Sequence, residues 1–146
     1  RRHCFAYRCR MGGTEMILLD THARVWWVNE SEQLSLQSRR KINEEVKNGT
    51  VVASAISVWE ISMLVKAGRM TLATDIDTWF GDLDILPYFR FISVDAHIAK
   101  TAIFLPEPFH KDPADRMIVA TALRLGVPLV TRDQKIRRYK QVRTIW

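Results

Sequence analysis

Short runs of uninterrupted apolar residues, set between stretches of helical spacing, constrain this chain most. Residues 16–20 (MILLD), 51–55 (VVASA) and 128–131 (PLVT) are too short for buried helices, and they do not alternate as a half-exposed strand would. They read as strands buried on both faces, with further strands at 91–94 and 142–146. Helices are expected between them over 21–28, 35–47, 57–66, 75–83, 95–104, 113–125 and 133–139. Asp112 and Pro113 suit the start of the 113–125 helix, and Gly126 suits its end. Gly49 and Gly68 fall where two other helices should stop. Strand–helix alternation of this kind predicts an α/β domain, a three-layer α/β/α sandwich around a parallel sheet of four to five short strands.

The 146 residues suffice for one domain. With 47% hydrophobic and 26% charged residues, the chain can bury enough apolar surface to fold. No apolar run reaches the length of a membrane-spanning helix. Residues 1–15 carry Arg1, Arg2, Arg8 and Arg10 ahead of the first patterned segment, and read as an N-terminal extension to a domain at 16–146. Both cysteines, Cys4 and Cys9, fall in that extension. The patterned region therefore folds without disulfides, as expected of a cytoplasmic protein. His3, Cys4 and Cys9 lack a fourth ligand at zinc-site spacing. The formal charge is +6, and Arg132, Lys135, Arg137, Arg138, Lys140 and Arg143 form a basic run near the end. Such a run fits a polyanionic partner or a solvated face.

The acids narrow the chemistry. Asp20 ends the first strand, Glu60 and Asp115 fall in the first turns of two helices, and Asp133 follows the fourth strand by two residues. A parallel sheet would bring them to its carboxyl edge, where ligands of such folds bind. Each has a local alternative. Ser57 and Glu60 have capping-box spacing, as do Asp112 and Asp115, and Asp133 can cap its own helix. Capping does not require the acids to converge, whereas metal binding does. Clustered carboxylates need raised pKa values or a cation, and all-oxygen ligands suit Mg²⁺ or Mn²⁺. Ions held in this way commonly work on phosphate esters.

Four stretches in order, ILLDTHARVWWV (17–28), SAISVWEISMLVKAGRM (54–70), KDPADRMIVATALRLGVPLVTRD (111–133) and YKQVRTIW (139–146), resemble the PIN-domain ribonucleases of the VapC toxin type. The resemblance implies a metal centre at Asp20, Glu60, Asp115 and Asp133, with the Thr131 hydroxyl holding a carboxylate or water beside it. It implies Mg²⁺-dependent endonucleolytic cleavage of RNA, a homodimer, and a small cognate antitoxin that blocks or distorts the site. The alternative is a catalytically silent RNA-binding or scaffold protein on the same fold. A haloacid-dehalogenase phosphatase would need D-x-D where Asp20-Thr21-His22 stands, and no glycine-rich phosphate loop occurs. DNA remains open as a substrate.

The remaining candidates have two readings each. Arg132, beside Asp133, suits a substrate phosphate, and Arg137 and Arg138 suit the RNA backbone. Arg116 suits either RNA or a neighbouring acid. Asp112 is favoured as a cap over an outer metal role. His22 lies close to the expected site but is not needed as a base. His97 and His110 read as surface residues. Trp26, Trp27, Trp59, Trp79 and Trp146 read as core or interface, and Met63, Leu64 and Met117 as core.

Overall fold

A computed structural model describes residues 16–48 and 50–146. The 1–15 extension, its two cysteines and the helix stop expected at Gly49 lie outside the described residues. The strands are β1 (Ile17–Leu19), β2 (Val51–Ser54), β3 (Phe89–Ile92), β4 (Leu129–Val130) and β5 (Thr144–Ile145). They form one sheet of order β3-β2-β1-β4-β5, and every pair is parallel. The helices are α1 (Thr21–Val28), α2 (Leu36–Asn48), α3 (Ala55–Lys66), α4 (Ile76–Asp84), α5 (Ala96–Ile103), α6 (Pro113–Leu125) and α7 (Gln134–Arg137). No helix among the described residues is long and apolar enough to cross a membrane.

The pleat sorts the apolar runs into two cores. Ile17, Leu19, Val51, Ala53 and Val130 face one side, against Leu34, Ile42, Trp79 and Leu83. Leu18, Val52 and Leu129 face the other, against Ile118, Val119, Ala122 and Ile136. A sheet apolar on both faces and covered by helices on both is the three-layer sandwich expected. Arg24 of α1 is fully buried in the first core, its guanidinium carbon 4.3–4.6 Å from the ring centres of Trp79, Phe89 and Phe91.

Helix starts follow local chemistry. Ser54, Asp75, Asp95, Asp112 and Asp133 each cap a helix by accepting from backbone N–H groups. Gly126 ends α6 in the left-handed conformation, φ 66°, where a side chain would be strained. Three expectations are corrected. Strand β3 begins at Phe89 rather than 91, because Arg90 interrupts the apolar run but faces outward on an edge strand. Helix α3 starts at Ala55, so Glu60 sits in its second turn and not its first. Met63, expected in the core, is half exposed.

Candidate metal-binding active site

The sheet order places the crevice. From β1 the chain turns toward β2 and β3, whereas β4 joins on the opposite side of β1, so the carboxyl ends of β1 and β4 form the switch point. Asp20 directly follows β1, and Thr131–Asp133 follow β4. Helix α3 brings Glu60 to the same edge, and the start of α6 brings Asp112 and Asp115. One cleft of about 540 Å³ is lined by Asp20, Glu60, Asp112, Asp115 and Asp133 together with His22, Trp26 and Arg132. The four acids singled out in the sequence therefore meet in one place.

Hydroxyl groups aim the carboxylates. Thr131 Oγ1 donates to Asp20 Oδ2 at 2.6 Å and accepts from the Asp133 N–H at 3.1 Å. Thr21 Oγ1 donates to Glu60 Oε1 at 2.6 Å. Its single proton is thereby used, so the 2.8 Å contact with Ser57 is a bond donated by the serine. Ser57 and Glu60 thus form no capping box: Ser54 caps α3, and both residues turn to Thr21 instead.

Capping and convergence divide the acids. The Asp20 carboxylate caps nothing, although Asp20 stands at the start of α1. Asp112 accepts from the Asp115 N–H at 3.0 Å through Oδ1, the expected cap, while also lining the cleft. Asp133 does both as well. Its Oδ1 accepts from the N–H groups of Lys135 and Ile136 at 2.8 and 3.2 Å, which leaves Oδ2 for the cleft.

Electrostatics shows the strain of this crowding. Burial, reinforced by the charges of Asp20, Asp112, Asp133 and Glu60, pushes the Asp115 carboxyl up to about 8. Burial also raises Asp20, against the opposing pull of the Thr131 hydrogen bond. It raises Glu60, with the Thr21 bond pulling the other way. Among the described residues no three ligand-type side chains are drawn together as a ready-made cage. The donor set consists of hard carboxylate oxygens beside a single arginine, which fits Mg²⁺ or Mn²⁺ better than zinc.

Several placements were not foreseen. Arg116 takes the acid-pairing alternative rather than the substrate face, with Nη2 3.6 Å from Glu107 Oε1, but most of its bonds go elsewhere. Its Nε donates to Ala102 O at 2.7 Å, Nη1 to Phe109 O and His110 O at 3.2 and 3.0 Å, and Nη2 to Ile103 O at 3.1 Å. Backbone carbonyls thus satisfy this buried guanidinium. His110 is half-buried, with Nε2 3.2 Å from Asp115 Oδ2. Trp26 lines the cleft with Arg132 5.8 Å above its ring. Arg132, Arg137 and Arg138 are exposed, and of these only Arg132 reaches the acidic cleft. Among the tryptophans, Trp59 is mainly exposed, at 58%.

A parallel α/β sandwich with acids gathered at the switch point beside β1 defines the class of protein to which this chain is compared. The chain belongs to the PIN domain family, whose profile matches residues 17–142. It is 34% identical over 132 residues to "Ribonuclease VapC22" of Mycobacterium tuberculosis (strain ATCC 25618 / H37Rv), a match covering 89% of this chain and 98% of that one. Two solved structures share the fold. VapBC2 from Rickettsia felis, bound to a DNA fragment from its promoter, has a TM-score of 0.64 at 18% identity, covering 89% of this chain and 97% of that one. FitAcB from Neisseria gonorrhoeae has a TM-score of 0.64 at 22% identity, covering 90% and 97%.

Proposed function

We propose that the protein is a divalent-metal-dependent endoribonuclease, the toxin of a toxin–antitoxin pair. The observation that carries the reading is the convergence of Asp20, Glu60, Asp115 and Asp133, from four separate elements, on one cleft. The ribonuclease name of the 34% identical relative supports it. Asp20, with Asp115 and Glu60, would hold Mg²⁺ or Mn²⁺, and Asp133 would contribute its uncapped oxygen. When bound, the ion supplies an activated water and neutralises charge developing on the phosphate.

The chain's own residues do the positioning. Thr131 and Thr21 fix the carboxylate oxygens of Asp20 and Glu60, so little reorganisation remains for the reaction step. Arg132, held over Trp26 at the rim, faces the incoming phosphate. The partners follow from the same reading: RNA as substrate, a small cognate antitoxin that covers the acidic cleft, and a second copy of this chain. Solved relatives of the fold are toxin–antitoxin complexes. The test is cleavage of RNA by the purified protein, with Asp20→Asn beside it. Cleavage with Mg²⁺ or Mn²⁺, lost in EDTA and in the variant, is expected. Undiminished cleavage in excess EDTA would overturn the metal mechanism.

A further inference from the structure

A second cleft, of about 600 Å³, opens beside the acidic one. Phe109, His110 and Tyr139 form part of its wall, and Lys135, Arg138 and Lys140 stand along it. The two clefts adjoin through His110, which lines the basic cleft while its Nε2 lies 3.2 Å from Asp115 of the acidic one. Asp133 joins them from the other side: it lines the acidic cleft, and its Oδ1 fixes the backbone of Lys135.

This cleft is built rather than incidental. Arg116 anchors one wall by holding the carbonyls of Phe109 and His110. The Phe109 and Tyr139 rings pack at 4.5 Å, and Tyr139 Oη donates to Pro106 O at 2.7 Å. Lys135 of α7 and Arg138, the residue that ends it, line the cleft three positions apart. Arg138 Nη2 donates to the Gln134 side chain at 3.2 Å. The one acid in the lining, Glu107, is already engaged by the Phe109 N–H at 3.1 Å and by Arg116 at 3.6 Å. None of Lys135, Arg138 and Lys140 has an ion-pair partner among the described residues.

We propose that this basic cleft is a substrate subsite that binds the phosphates of single-stranded RNA flanking the bond cut in the acidic cleft. The proposal rests on the ribonuclease reading and deepens it. An acidic centre repels a polyanion until its cation is bound, so affinity for the strand must come from elsewhere. Three unpaired cations next to the centre supply it, and the half-buried face of Phe109 offers an apolar surface to an unstacked base. The basic run is thereby divided: Arg132 serves the cut itself, Lys135, Arg138 and Lys140 serve the flanking strand, and Arg137 lines neither cleft.

The test compares wild type with the K135Q/R138Q/K140Q triple variant. All three positions are exposed, and an unchanged melting temperature confirms that the fold is intact. Binding of a ten-nucleotide single-stranded RNA is measured in EDTA as a function of salt. At about 0.7 released counterions per phosphate, losing three contacts lowers the slope of log affinity against log salt by about 2. Between 50 and 200 mM salt, the cleft's share of the affinity loss is then about 20-fold. With metal, KM for long RNA should rise while kcat and the cleavage of di- and trinucleotides stay at wild-type values. Unchanged salt slope and KM would overturn the proposal. So would unchanged RNA affinity with lost affinity for a Glu/Asp-rich decapeptide, which would assign the cleft to a protein partner. Failure of the wild type to cut any RNA refutes the ribonuclease reading instead, and the metal-free binding result stands apart from it.

Discussion

Replacing Asp115 by Asn should stabilise the metal-free protein, and more so as the pH rises. The folded-state carboxyl of Asp115 is raised from 3.8 to about 8. The native state therefore holds a proton that the unfolded chain releases near pH 4, and stability falls as the pH climbs between those two values. Each unit corresponds to about 1.36 kcal/mol, giving an upper bound of roughly 6 kcal/mol above pH 8. The side chain is one-fifth exposed, so solvent screening reduces this to about 2–3 kcal/mol. Asn keeps the shape, and the Asp112 cap survives because its donor is the backbone N–H of residue 115. In a domain of this size the gain is a melting shift of about 8–12 °C at pH 9, with a much smaller shift at pH 5. The assay is thermal unfolding in EDTA at both pH values, repeated in a His110→Gln background to remove the imidazole contact. Saturating Mg²⁺ should narrow the gap, since only wild type keeps the full ligand set; at 100 times its Kd a ligand adds about 2.7 kcal/mol. A gap at pH 9 no larger than at pH 5 would refute the reasoning and show that the clustered carboxylates are not coupled.

Thr131→Val removes the bond to Asp20 and the acceptor of the Asp133 N–H, and should cost about 2–3 kcal/mol in chemical denaturation. Because that bond lowers the Asp20 pKa, the acid limb of the pH–cleavage profile should move to higher pH, and Thr131→Ser should restore it. Arg116→Lys should cost about 3 kcal/mol and expose residues 103–110 to limited proteolysis, because an ammonium cannot span four carbonyls. If Arg116 instead served as an RNA contact, lysine would leave proteolysis unchanged.

Asp20 was legible because its position follows from a very local fact. An apolar run too short for a helix ends in an acid, and the strand type fixes which edge that acid occupies. Asp112 and Asp133 were legible as caps for the same reason, since capping depends on neighbours two or three residues away. The failures share the opposite property. The spacing of Ser57 and Glu60 satisfies a local rule, but Thr21, 39 positions from Glu60, offers the carboxylate a tertiary bond and the local rule loses. Arg116 does pair with an acid, Glu107, as one of its two readings had it, but a helix sends consecutive side chains in different directions, and the carbonyls 6–14 residues away that take most of its bonds were beyond a local reading. His110 looked like one more surface histidine because nothing in its local sequence ties it to Asp115. Strand β3 was misplaced by two residues since an outward Arg90 is permitted only at a sheet edge, and edge position belongs to the topology.

The Thr131–Asp20 hydrogen bond spans 111 positions of the chain, and β1 lies between β2 and β4 in the sheet. A ribosome makes the second partner 111 residues after the first, at about 5–20 residues per second. For several seconds of synthesis, Asp20 is present without the strand that fixes its carboxylate and without Asp133. The four acids can converge only once β4 has docked beside β1 and brought Thr131 and Asp133 with it. A truncated product that stops before β4 carries Asp20, Glu60 and Asp115 but cannot close the crevice. Translation thus separates the first acid from the strand that fixes it by several seconds, and a chain that stops before β4 lacks both Thr131 and Asp133.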